Sequence, residues 1–399
     1  MGGLLFLFVL LTADISLASA FPGGEQFLLR WSGARAFLFE RIEPYSTTVA
    51  QRVQQDVYGR PTRSGEYPYV LNDPFPILLF YLPFALFPDF ALVRSVWILL
   101  LQLTLVVSTL FTINLAEWQP PRFFSVLIFL FCFLNFYSVQ ALLAAAPAIF
   151  LVIVYAGVLL ALRAEMDELA GALLALVAYQ WEAGGLFFLF ILFWTNSQKR
   201  WRMFAGLGMS LAILLAVSFL VYPNWGLPYL RAVLSDWYAG SYFSLGQIMR
   251  HWYPETGPRI GWAATSVLLI LLMIEWFSTR RASFRHVVWT ACLSLTTTPL
   301  IGVPIFLYNM VVLLLPFILI ISLICELWTR ARACMTAVIL FFVLVTPWVL
   351  YARGILFNEA YREILSVAAP LSILLGLYWM RWWAVRSPRP WADQIGEYR

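Results

Sequence analysis

Charge is what this 399-residue sequence has least of: Asp, Glu, Lys and Arg make up 12% of the chain, about half the share of soluble domains. The 26 basic and 21 acidic residues are too few to coat a soluble protein of this length. Lysine occurs once, as Lys199, so nearly every fixed positive charge is a guanidinium. No soluble face gathers basic residues, which excludes a nucleic-acid-binding domain. The four cysteines (Cys132, Cys292, Cys325, Cys334) lie in or beside apolar runs without CxxC spacing, and read as small core residues. No His/Asp/Glu set has metal-ligand spacing, and no Walker loop, GxGxxG fingerprint or Ser-His-Asp signature occurs. Internal repeats and an appended soluble domain are also missing.

What fills the chain is apolar. Hydrophobic residues are 62% of it, about 247 side chains, and a spanning helix needs about 20 mostly apolar residues. The ceiling is therefore near twelve spans, and the expected fold is all-α: a polytopic membrane helical bundle, one domain over 1–399. Spans are expected near 3–20, 76–88, 91–115, 122–138, 140–162, 169–195, 203–221, 260–277, 287–301, 303–324, 334–350 and 364–383. The first lacks the basic flank of a signal peptide and contains Asp14, so 1–21 reads as a first transmembrane helix or uncleaved signal. The run 76–88 is short and broken by Pro83, as a re-entrant or tilted piece would be.

Arginines cluster around Lys199, Arg280, Arg330 and beyond Arg381, two spans apart each time. The positive-inside rule makes that side the cytoplasm and 384–399 a cytoplasmic tail. The segments 22–74, 223–259 and 351–363 then share the outer face, in a plasma-membrane protein surrounded by membrane lipids. Pro22–Pro74 is the one long polar stretch before the main bundle of 75–383. Trp31, Ala34, Phe37 and Leu38 recur there at three- to four-residue spacing, which predicts an interfacial helix.

Candidate site residues follow from cost and reach. Glu182, in Tyr179-Gln180-Trp181-Glu182-Ala183-Gly184-Gly185, is a charge inside a span. The paired glycines suggest a break lining a cavity; the other reading is a hydrogen-bonded lock between helices. Outer carboxylates include Glu25, Glu66 and Asp73, and a general base must lie where a substrate hydroxyl reaches it. Taken alone, Glu25 reads as a solvated loop acid, although Gly23 and Gly24 permit a sharp turn before it. Outer Arg30, Arg60, Arg63, Arg250 and Arg353, with His251, are available to hold a phosphate by paired hydrogen bonds.

Several blocks, in order, follow a known pattern. They are Gly23-Gly24-Glu25-Gln26-Phe27, Trp31-Ser32-Gly33-Ala34, Pro44-Tyr45, Tyr58-Gly59-Arg60-Pro61, Asn72-Asp73-Pro74-Phe75-Pro76 and Leu82-Pro83-Phe84. Tyr179-Gln180-Trp181-Glu182, Tyr222-Pro223-Asn224-Trp225 and Tyr308-Asn309 through Pro316 come after them. Across most of the chain this resembles glycosyltransferase family 87, polyprenol-phosphate-mannose-dependent mannosyltransferase-like proteins of the GT-C fold. The resemblance implies an enzyme whose first outer loop carries the catalytic acid. It would transfer a hexose, mannose by analogy, from a polyprenyl-phosphate donor to a glycan, glycolipid or protein acceptor. The family motif tends to have Asp where this chain has Gln26, so the resemblance passes the role of base to Glu25, with Asp73 and Glu66 as further acids. The later block commonly reads Lys-Pro where this chain has Gln180-Trp181. With Glu182 and Asn309, these two are expected to line the cavity. No cofactor beyond the donor is implied, and a divalent metal is left open. Two other readings stand beside the enzyme: a lipid or solute transporter or flippase, and a catalytically inactive family member.

Overall fold

The computed structural model describes residues 2–21, 23–63, 66–239, 249, 253–301, 306–327, 332–356 and 360–385. Among them there is no β-strand; helices form the whole scaffold. Helix α1 (Gly2–Ala20) leads to the helices of the polar loop, α2 (Glu25–Arg35) and α3 (Thr47–Tyr58). The Ser46 side chain caps α3 by accepting from Val49 N–H, and Gly59 ends it with φ of 67°. The one interfacial helix expected from Trp31, Ala34, Phe37 and Leu38 falls on the end of α2 and the helical turn after it, and α2 itself is largely buried, from Gln26 to Arg30 and at Gly33 and Ala34.

Helix α4 (Phe90–Leu115) is capped by Asp89, whose carboxylate accepts from Ala91 and Leu92 N–H. α5 (Arg122–Leu134) and α6 (Phe136–Leu143) meet at a 50° bend, where Asn135 leaves the helix and accepts from Tyr137 N–H at 2.8 Å. α7 (Ala148–Arg163), α8 (Asp167–Val177), α9 (Trp181–Ser197) and α10 (Trp201–Val221) follow, then α11 (Gly226–Ala239) and α12 (Gly257–Ser278). α13 (Phe284–Thr297), α14 (Leu314–Leu327), α15 (Arg332–Leu356) and α16 (Ala360–Val385) complete the bundle. The segment Leu307–Leu327, with α13, forms its most enclosed part. Ser294, Thr296 and Thr297 of α13 each donate to the carbonyl four residues back, while Thr290 pairs with Thr279 and Ser294 also accepts from Trp276.

Seven stretches among the described residues are long and apolar enough to cross a membrane, or eight if the bent α5–α6 pair is one span. The chain is an all-α, multi-pass membrane bundle. That is fewer than the expected twelve, because several apolar helices, α7 among them, are short.

Two expected spans have a different form. The run 167–197 is apolar over 31 residues, about 45 Å if it were one helix. Its two ends nevertheless meet: Arg200 binds Asp167 at 2.5 Å and donates to Leu162 O at 3.1 Å. The backbone of Glu168 packs directly on Gly206 of α10. The run is therefore a helical hairpin, α8 up and α9 back, reversing between Val177 and Gly184, where the helix is lost. The run 76–88, in turn, does not cross. Phe75 packs on Phe37, while Trp31 donates to Phe84 O and Arg35 to Ala85 O, so both its ends rest on α2 and the helical turn after it.

These two forms change where the intervening loops lie. The turns at 116–121 and 164–166 join the end that carries Lys199. Arg163 bonds Asn114 there, and Gln198 reaches Arg280 O. The basic end thereby gains Arg122 and Arg163.

Candidate functional site

The opposite end holds a cavity of about 130 Å³. Three parts of the chain distant in sequence build it: the start of α2 with Asn72 and Asp73, the α8–α9 apex at Tyr179–Ala183, and the turn of 3-10 helix at Leu307–Leu313. Tyr229 and Val233 of α11 close one wall. The reason the apex reaches this place lies in packing. A side chain at Gly184 would collide with the Tyr155 hydroxyl of α7, so only glycine lets α9 start where it does. Glutamine at 180 and tryptophan at 181 therefore open into the cavity rather than continuing a helix towards lipid.

Arg30 and Asp73 form its floor. Two guanidinium nitrogens of Arg30 serve different partners: Nη2 pairs with Asp73 at 2.9 Å, and Nη1 donates to the Gln26 carbonyl at 2.7 Å. Both side chains are only 6% exposed. Burial works against the charged guanidinium, but the adjacent Asp73 carboxylate, together with Tyr81 and Tyr308, raises the Arg30 pKa overall. Tyr45 donates its hydroxyl to the Asp73 carbonyl at 3.0 Å. Burial, then the nearby Asp73 charge, pushes the Tyr45 hydroxyl up, so it stays a donor. Floor and wall thus present one compensated cation, two carboxylates (Asp73 and Glu182), four amides (Gln26, Asn72, Gln180, Asn309) and several rings. Aromatic faces beside amides and carboxylates suit a polyhydroxylated ring, which offers both C–H faces and hydroxyl groups.

Glu25 occupies the first turn of α2, next to the cavity but not among its lining residues. It is half-buried, and burial raises its pKa above the ordinary carboxylate value, against a backbone hydrogen bond and the charge of Arg94. It lies within electrostatic reach of Tyr69 and of Tyr308, a cavity residue. The residue that faces the cavity from this turn is Gln26, at the position where the resembled motif has its acid.

The remaining candidates are placed elsewhere. Glu66 is clasped by Arg60 at 2.6 Å and by the Arg63 N–H at 2.9 Å, in a surface ion pair away from the cavity. The Arg60 hydrogen bond, with help from Arg63, pushes the Glu66 carboxyl down to about 2, which suits a fixed anion rather than a base. Arg63 and Arg353 are exposed, and neither lines the cavity. Arg250 and His251 lie outside the described residues. Among the described residues no group of three His, Cys, Asp or Glu side chains gathers to hold a metal ion.

Arg94 was not singled out by the sequence reading, yet it is 2% exposed and lies over Gly23 and Gly24. The cost argument that selected Glu182 reaches it too, since Arg94 is the fourth residue of the run 91–115. Tyr67, Tyr229 and Tyr308 were also missed, because aromatic residues are too common here, at 17%, to signal a site.

The chain matches no protein-family model and no curated protein.

Proposed function

We propose that this protein is an integral-membrane hexosyltransferase that moves a sugar, mannose by the family resemblance, from a polyprenyl-phosphate donor to an acceptor at the outer face. The observation that carries the reading is the convergence of α2, Asp73 and the α8–α9 apex on one cavity of carboxylates, amides and aromatic rings. A donor that diffuses in the bilayer delivers its sugar-phosphate at this depth, beside the first outer loop. Glu25, raised by burial, is suited to take the proton of the acceptor hydroxyl as that oxygen attacks the anomeric carbon and the lipid phosphate leaves. Arg30, fixed by Asp73, supplies positive charge beside the departing phosphate. In this reading the helices make twelve passes of a GT-C-like bundle in the plasma membrane, with the basic end cytoplasmic.

The test is incubation of purified protein with polyprenyl-phosphate mannose or glucose and an acceptor mixture, following release of polyprenyl phosphate. The α8–α9 hairpin favours one second reading, a transporter or flippase, because broken helices with apices in polar cavities also form transport sites. Movement of the lipid across proteoliposomes without its hydrolysis or sugar transfer would select that reading.

A further inference from the structure

The Gly23-Gly24 turn has an unusual neighbour. Gly23 and Gly24 have φ of 143° and 76°, in the region that favours glycine. A Cβ on Gly23 would come within 2.8 Å of Arg94 Nη2, and one on Gly24 within 2.7 Å of Arg94 Nε. The guanidinium therefore lies flat along the turn that aims α2, a place no side chain leaves room for. Arg94 Nη1 donates to Phe21 O at 2.9 Å, the last turn before the glycines, while its Nε is buried with no partner. On the far side of the turn, Gly24 and Gln26 N–H donate to Leu143 O and Ala144 O at 2.8 and 3.1 Å. The backbone on both sides of Glu25 is thus clamped, from above by Arg94 and from below by the end of α6.

A buried cation needs an anion nearby or a large part of its hydration is lost for nothing. Among the described residues no carboxylate comes within ion-pair contact of Arg94, and Glu25 is the acid whose charge reaches it. We propose that Arg94 is the positioning residue of this site: laid along Gly23-Gly24, it fixes the direction of Glu25 and provides the buried positive charge that the carboxylate faces. This rests on the assignment of Glu25 as base and adds how the fold keeps it competent. The other groups facing Glu25 are Tyr69 from the outer loop and Tyr308 from the 3-10 turn, both neutral hydroxyls; the α6 end offers only carbonyls. Burial raises Glu25 most; a backbone hydrogen bond opposes this first, and Arg94 is the one nearby charge that opposes it as well.

The test does not need turnover. Infrared difference spectra of full-length protein, wild type minus Glu25→Gln, report the protonation midpoint of Glu25 directly. Removing the cation in Arg94→Gln is expected to raise that midpoint by about one pH unit, a tenfold gain in proton affinity. Arg94→Lys is expected to restore most of it. Arg94→Met keeps the apolar stem and discards a costly buried charge, so it stands in where the glutamine variant fails to fold. A midpoint unchanged in both neutral variants overturns the proposal. So does a loss of polyprenyl-phosphate binding without movement of the midpoint, which would make Arg94 a phosphate ligand. Absence of sugar transfer by the wild type, with the midpoint shifting as stated, would remove the proposed reaction and leave the Arg94–Glu25 relation standing.

Discussion

Asp167 and Arg200, 33 residues apart and flanking an apolar run long enough to span a membrane by itself, are joined by a 2.5 Å ion pair. A straight helix would hold them about 50 Å apart. This one contact turns the run 167–197 into a hairpin and carries the apex Tyr179–Glu182 to the cavity. It also places the loops at 116–121 and 164–166 at the arginine-rich end.

Topology is the first expected outcome. In a cysteine-free background, cysteines at Gln119, Ala164 and Ser197 should all label from one side, and a cysteine at Thr62 from the other. Labelling of positions 164 and 197 from opposite sides would restore a single span and remove the apex from the cavity.

The apex depends on Gly184. Adding a methyl there meets the Tyr155 ring, with Cε1 at 2.8 Å even before the hydroxyl is considered. Gly184→Ala should lower stability by about 1–3 kcal/mol, the usual cost of overpacking. Tyr155→Leu in the same chain should return part of it. Thermal melts of the two variants in detergent, which need no substrate, decide this.

Most of the architecture was legible in the sequence. The apolar fraction, Pro22–Pro74 and the arginine clusters pointed to a multi-pass bundle with a structured polar loop, and Glu182 with its glycines marked a helix break. Hydropathy could not show that α8 and α9 double back, because both limbs are apolar; the contacts of Arg200 with Asp167 and Leu162 and of Glu168 with Gly206 do so. The shortness of 76–88 and Pro83 within it already marked that run as a re-entrant or tilted piece, and the contacts of its ends bear this out. At the site, the run of acids in the outer loop looked equivalent. Burial and partners distinguish them: Asp73 is locked to Arg30, Glu66 to Arg60, and Glu25 is left half-buried with its pKa raised.

The Arg30–Asp73 pair should behave as a buried ion pair. Removing one partner strands a charge that is almost fully enclosed, so Arg30→Met or Asp73→Leu alone is expected to cost about 3–5 kcal/mol. The double variant should cost much less than the two combined. Unfolding monitored by intrinsic tryptophan fluorescence measures the coupling, and additive losses would mean that the pair does not act as a unit.

A pH dependence follows from Glu25. A base must be deprotonated to work, and burial lifts this carboxyl above its ordinary 4.5. The rate of sugar transfer should therefore rise with pH through a midpoint above 4.5 and level off beyond it. A profile flat across that range would assign the proton to another group.

The decisive measurement of the proposed transfer is release of polyprenyl phosphate from polyprenyl-phosphate mannose or glucose, by wild type and Glu25→Gln at matched protein level. Release is expected from the wild type with one of the donors, with its loss, by at least about a hundredfold, in the variant. Release by both proteins at the same rate, or by neither with any donor, would contradict it.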